Sequence, residues 1–335
     1  MSTSRTAPTL IGLVVALAAA AGVYVAVTLD YRGPERLPTA DMDEFAPTDP
    51  ALVHYREAAA INTGLAAVRG IAVGPHDRIY VAGDSAVRVF DAAGKALSTI
   101  KMPAEPRCLA VAKNGTLYVG MLDHVVVYEA DGARKPAWPS AGKDAIFASV
   151  AVSEENVLVG DAGNFVVLRY DTSGKLVGRI GEKDPRRNID GFVLPSPYLD
   201  VAVGDDDLLR VSNPGRLRVE MYTLDGDPLG HWGKGGPEMD GFQGCCNPVQ
   251  LAVLGDGAVV TSEKGLPRVK VHTKPGKLRS VVAGPELFLP LRCPTADCTK
   301  GKTLDLAADG RGRILALDPS SNTVRIFVRK KRTEQ

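Results

Sequence analysis

The sequence predicts an all-β chain arranged as a six-bladed β-propeller behind one N-terminal transmembrane helix. Three observations carry this. Gly (35) and Pro (23) are plentiful in a 335-residue chain of ordinary charge content, as a fold of many tight turns requires. A pattern of three short apolar segments separated by polar turns recurs six times. The repeats begin at Ile71, Leu109, Val150, Val201, Leu251 and Leu306, so the steps run from 38 residues (71 to 109) to 55 (251 to 306), the length of one multi-stranded blade. The apolar share of 45% excludes a disordered chain. With 40 Lys+Arg against 39 Asp+Glu there is no net field to steer nucleic acid, and none is expected as a partner.

The N-terminal elements come first. Residues 1–8 are expected on the cytoplasmic side. Residues 9–29, TLIGLVVALAAAAGVYVAVTL, hold no charge and are long enough to span a hydrocarbon core. The run exits at Val27-Thr28-Leu29-Asp30, a poor cleavage site, so an uncleaved signal anchor is expected rather than a removed signal peptide. Arg5, the only charge before it, favours a cytoplasmic N-terminus and an exported remainder. Residues 30–51 are polar with four Pro and read as a flexible tether. The propeller, residues 52–330, would then stand on the extracytoplasmic (periplasmic) side, followed by a tail, 331–335, across whose start the basic run Arg329–Arg332 lies.

Each repeat reads as an inner strand, a turn, a second strand, a loop and an alternating third strand, usually followed by a D-x-x-G-like turn, as in IAVGPHDRIYVAGDSAVRVFDAAGK from Ile71. A blade cannot bury both its faces alone, and a ring must close to hide its edges. The last repeat shows only three strands. The segment from Val53 to Ile61, VHYREAAAI, is expected to supply the fourth.

These repeats resemble NHL repeats, whose phrase P-x-G-[IL]-A-V-x-x-x-G-x-[IL]-Y-V appears as Val68-Arg69-Gly70-Ile71-Ala72-Val73 and as Pro106-Arg107-Cys108-Leu109-Ala110-Val111. The resemblance covers the propeller and implies one blade per repeat. It does not by itself define an activity, because propellers host enzymes, ligand sites and interaction platforms alike.

With strands labelled A to D from the axis outward, the B–C loops and the D-to-A connections share one face. The connections 181–199, 230–249 and 284–303 are long, and loops on a rigid scaffold are where function concentrates. That face is the expected site. Its candidates are Arg69 and Arg107 at the axial rim, Asp161, Asn213, Glu263, Lys264 and Asp318 in B–C loops, and His231 in a connection. Asp84 and Asp123 occupy equivalent loops. The plainer reading of these acids is local turn capping. For Glu263 and Lys264 it is an exposed ion pair or solvated tip, and for the arginines it is hydrogen bonding to carbonyls of the next blade. Trp138 and Trp232 read either as exposed anchors or as plugs between blades.

Cys108 reads as a small buried apolar residue. Cys245 and Cys246, in FQGCCNP, and Cys293 and Cys298, in LRCPTADCTKG, precede neighbouring blades on the long-loop face. In an exported domain two disulfides fit them, with the pairing open. An iron–sulfur cluster with four thiolate ligands also fits, and so does structural zinc, which adjacent cysteines suit poorly. The expectation is no cofactor, with the iron–sulfur cluster as the alternative.

Enzyme readings find little support. His54, His76, His124, His231 and His272 do not occupy equivalent blade positions, so the three-histidine zinc site of NHL-type amidating lyases is not expected. The inner strands IAV, LAV, VAV, VAV, LAV and LAA carry no acid in their middle, where an axial metal of the lactonase kind would sit. The expected function is therefore a membrane-tethered scaffold that binds a protein or small ligand through the long-loop face. The alternatives are an iron–sulfur electron-transfer subunit and a metal-dependent lyase or hydrolase.

Overall fold

The computed structural model describes residues 48–288 and 302–331. The expected anchor (9–29), nearly all of the tether, Cys293, Cys298 and residues 332–335 lie outside the described residues. No helix among the described residues is long and apolar enough to cross a membrane.

Six antiparallel sheets form the blades. Strand β1 (Tyr55–Asn62) belongs to the last of them. Blade 1 is β2 (Val68–Gly74), β3 (Arg78–Gly83), β4 (Ala86–Phe90) and β5 (Ala96–Lys101). Blade 2 has three strands: β6 (Cys108–Val111), β7 (Leu117–Gly120) and β8 (Val125–Tyr128). Blade 3 is β9 (Phe147–Val152), β10 (Asn156–Asp161), β11 (Val166–Asp171) and β12 (Leu176–Ile180). Blade 4 is β13 (Val201–Val203), β14 (Leu208–Asn213), β15 (Arg218–Thr223) and β16 (Pro228–Trp232). Blade 5 is β17 (Gln250–Val253), β18 (Val259–Ser262), β19 (Val269–His272) and β20 (Leu278–Ala283). Blade 6 is β21 (Asp305–Ala308), β22 (Ile314–Asp318) and β23 (Thr323–Arg329), completed by β1.

The closing strand is supplied from the start of the propeller, as the short last repeat requires. Strand β1 runs antiparallel to β23 from Tyr55 opposite Arg329 to Asn62 opposite Thr323. Glu57 seals the joint by accepting from Nε and Nη2 of Arg325.

The strand sequences explain the layering. Middle strands such as β8 (VVVY), β10 and β18 are buried throughout, because a blade presents apolar side chains to a neighbour on each face. Outer strands β5, β12 and β16 are largely exposed. The core is accordingly split into six apolar clusters, one in each seam between successive blades. Each fully buried Val or Leu in them contributes about 1.5–3 kcal/mol. The seam between blades 4 and 5 has the smallest cluster among the described residues, namely Val219, Trp232, Phe242, Leu251 and Val259.

A second device ties blades at their outer edge. The D-x-x-G-like turn between strands C and D puts a glycine at positive φ, and the last apolar residue of the preceding blade's outer position lies beneath it. Ile61 lies under Gly94, Trp138 under Gly174, Ile180 under Gly226 and Trp232 under Gly276, each where a Cβ would stand 3.0 Å or less from the neighbour. Trp138 and Trp232 are therefore buried plugs, not exposed anchors. In blade 2 the fourth position is filled by irregular chain. Lys135 and Trp138 donate to Val127 and Val125 of β8, while Pro136 and Pro139 have no N–H to continue a ladder.

Candidate functional site

The inner strands of successive blades neighbour one another around the axis, β21 returning to β2. Where they begin, a mouth opens between the D-to-A connections. It is a cavity of about 340 Å³ lined in part by Arg69, Glu105, Arg107, Tyr198, Asp200, Gln250, Lys302 and Thr303. A cavity of about 70 Å³ shares Arg69, Arg107, Asp200 and Gln250 with it and reaches Cys108, Ser149 and Asp305.

The floor comes from one structural position repeated six times. It is the residue just before each apolar triplet: Gly70, Cys108, Ser149, Asp200, Gln250 and Asp305. Their cross-strand partners, in the same order, are Ala82, Gly120, Gly160, Ser212, Ser262 and Leu317, at matching places in the second strands. Gly70 leaves room because a Cβ there would stand 3.0 Å from Leu109 Cδ2. Asp200 and Asp305 latch neighbouring blades. Leu251 N–H donates to Asp200 Oδ2, and Ile71 N–H donates to Asp305 Oδ2 at 2.8 Å. Gln250 sits between the acids. With its amide nitrogen toward them it donates to both Asp200 oxygens at 3.2 and 3.1 Å and to Asp305 Oδ1 at 3.2 Å.

This environment suppresses ionisation. Burial, then the charge of Asp305, raises the Asp200 carboxyl far above the carboxylate range, against hydrogen bonds from Ser149, Leu251 and Val201. Burial raises Asp305 likewise. Both acids therefore hold their protons toward neutrality, so the floor offers hydroxyl donors as well as acceptors. The Cys108 thiol beside them is pushed up by burial and then by Asp305, and is inert as a nucleophile at neutral pH.

The rim is basic. Arg107 Nε donates to Phe147 O at 3.1 Å, the carbonyl of the next blade. Arg69 Nε meets Glu105 at 2.8 Å, with both side chains about half exposed, a pair worth well under about 1 kcal/mol. Lys302 Nζ donates to Pro319 O. Lys264 stands behind the rim, with its Nζ donating to Ser196 Oγ at 2.9 Å and lying 4.9 Å over the Tyr198 ring.

The remaining expected residues of the face are occupied in holding it together. Asp161 is fully buried and accepts from the N–H of Ile146, in the incoming connection, and of Gly163 and Asn164. Asn213 accepts from Val193 N–H and donates to Glu220. Glu263 accepts from Gln243 N–H, and Asp84 accepts from Ala66 and Ala67. The loop side chains of four blades thus pin the connection entering the same blade. Asp318 is buried and caps Ser320. Glu263 is not an exposed tip. Fully buried, it pairs with Arg268 Nη2 at 2.7 Å and Lys270 Nζ at 2.8 Å. Arg268 and Lys270 also donate to Gly241 O, and Lys270 covers the Phe242 ring at 4.5 Å. His231 is not in a connection. It lies in the exposed outer strand β16, opposite Glu220 of β15.

The thiols of Cys245 and Cys246 are 3.1 Å apart. A four-cysteine site would need Cys293 and Cys298, which lie outside the described residues. Among the described residues, no three side chains of His, Cys, Asp or Glu converge as a metal-binding group.

No family model matches the chain, and no curated protein matches it. Solved structures do. A streptogramin B lyase is similar with a TM-score of 0.56 at 12% identity, covering 84% of this chain and 100% of its own. The virginiamycin B lyase of Staphylococcus aureus is similar with a TM-score of 0.52 at 12% identity, covering 82% of this chain and 99% of its own. The WD40 propeller domain of Doa1 is similar with a TM-score of 0.53 at 15% identity, covering 84% and 98%. At these identities the likeness shows the fold alone: a six-bladed β-propeller, compatible with a binding scaffold.

Proposed function

We propose that the chain is an NHL-type propeller, tethered to a membrane through residues 9–29 with the propeller on the extracytoplasmic side, that binds a protein or small ligand at its long-loop face. The axial mouth receives the ligand or an extended part of the partner. One observation carries this reading: a cavity of about 340 Å³ has a basic rim at Arg69, Arg107 and Lys302 and a floor of Asp200, Gln250 and Asp305. The connections entering blades 3, 4 and 5 are held by hydrogen bonds to buried Asp161, Asn213 and Glu263, so binding costs little reorganisation there. The chemistry that fits has an anionic group for the rim and hydrogen-bonding groups at its far end for the floor. The chain has no expected cofactor, and the propeller acts by binding rather than by turnover.

Thermal shift of the full chain against carboxylates and phosphate monoesters tests this, with binding confirmed by calorimetry. Stabilisation is expected for at least one anion class and is lost in Arg107→Ala combined with Lys302→Ala. Equal stabilisation of the wild type and the double variant would place binding elsewhere.

A further inference from the structure

Cys245 and Cys246 are adjacent in sequence, yet their sulfurs stand 3.1 Å apart. Closing that gap to a covalent S–S length of about 2.05 Å needs a movement of about 1 Å. The flanks of the dipeptide are already fixed. Gln243 N–H donates to buried Glu263, Asn247 Nδ2 donates to the carbonyls of Gln243 and Lys264, and Lys264 N–H returns to Asn247 Oδ1. The entropy of bringing two thiols together is thus spent when the blade folds. The two differ in access: Cys245 is exposed and Cys246 is buried. Cys108 is also buried, in the seam between blades 2 and 3.

We propose that Cys245 and Cys246 are a vicinal dithiol that is oxidised to a Cys245–Cys246 disulfide by exchange with a glutathione-type disulfide. The Cys245 thiolate attacks one sulfur of the oxidant and expels the other as a thiolate, forming a mixed disulfide. Cys246 then loses its proton and attacks the Cys245 sulfur, expelling the second thiolate. Two protein thiols are oxidised to one disulfide, and the oxidant is reduced to two thiols. Hydrogen bonding to Cys246 and then burial hold the Cys245 thiol above its ordinary range, while the Lys264 charge opposes them, so exchange is to be run at mildly alkaline pH. This inference is independent of which ligand the mouth accepts.

Tryptic mapping reads the outcome directly. Cleavage after Lys234 and Lys264 places both cysteines in one peptide, residues 235–264, and cleavage after Arg292 and Lys300 places Cys293 and Cys298 in another. The reduced full-length chain is treated with oxidised glutathione, alkylated and digested. The 235–264 peptide is expected to be lighter by two hydrogens and unalkylated, and a reductant should restore both sites to alkylation. Alkylation at both cysteines, or a link to the 293–300 peptide or to Cys108, would overturn the proposal. Cys246→Ser should trap glutathione on Cys245, and the absence of that adduct would overturn the assignment of Cys245 as the attacking thiol.

Discussion

At the scale of single residues, two kinds of position decide most. The first is the turn glycine over a neighbour's outer plug. Gly276 has φ +92°, and an added Cβ would stand 2.2 Å from Trp232, whereas Gly132, at φ +89°, has open space. Gly132→Ala should therefore cost about 1 kcal/mol of backbone strain, and Gly276→Ala should cost on the order of 3 kcal/mol because the indole must also move. Urea midpoints of the two variants check this, and equal costs would contradict the packing argument. The second kind is the axial acid. Unfolded, Asp200 and Asp305 ionise near pH 4, as ordinary aspartates do. Folded, they hold protons into the neutral range. Their contribution is thus complete below about pH 4 and is lost as pH rises through neutrality. His272 has a pKa lowered to about 3 by burial and then Lys270, so its opposite effect is confined to pH below about 7. Between about pH 7 and 8 the wild type should lose stability with rising pH, and Asp200→Asn should flatten that loss; matching slopes would refute it. These acids were readable in the sequence. Each stands directly before an apolar triplet, in LDVAV and LDLAA, but attention to the middle of the inner strands passes over the residue at their start. The pinning roles of Asp161 and Asn213 were not readable, because their partners are backbone groups 15 and 20 residues away.

At the scale of elements, the connection from β16 to β17 is held by buried charge as well as by the packing of Phe242. Glu263 compensates Arg268 and Lys270, and these in turn grip the carbonyls of residues 237–241. Glu263→Gln leaves two buried cations uncompensated and should cost about 3–5 kcal/mol. Glu105→Gln, which breaks the exposed pair with Arg69, should cost less than about 1 kcal/mol. Chemical denaturation of both variants checks the contrast, and similar costs would contradict the burial argument. The sequence motif TSEKGLPRVKV suggested a solvated tip because charges in a loop are usually exposed. Only the fold shows that the connection lies over them. The strand pattern itself was legible from apolar alternation and turn chemistry. The absent outer strand of blade 2 follows from Pro136 and Pro139, which remove donors where a ladder would run.

At the scale of the whole molecule, six seams must close together. Removing residues 53–62 would leave β23 an open edge of alternating apolar residues, and the shortened chain should self-associate or fail to fold cooperatively. Size-exclusion chromatography and a urea transition compare it with the full propeller, and a monomeric, equally cooperative product would contradict the closure argument. The joint also has a consequence in time. Glu57 meets Arg325 across 268 positions of chain. During synthesis β1 is made first and waits, unpaired, while five blades are built. Only when the ribosome has delivered residues 323–329 can the first strand find its place. A nascent ring is therefore an open arc with a vacant slot, and for that interval β1 is a free strand that any exposed edge nearby can capture.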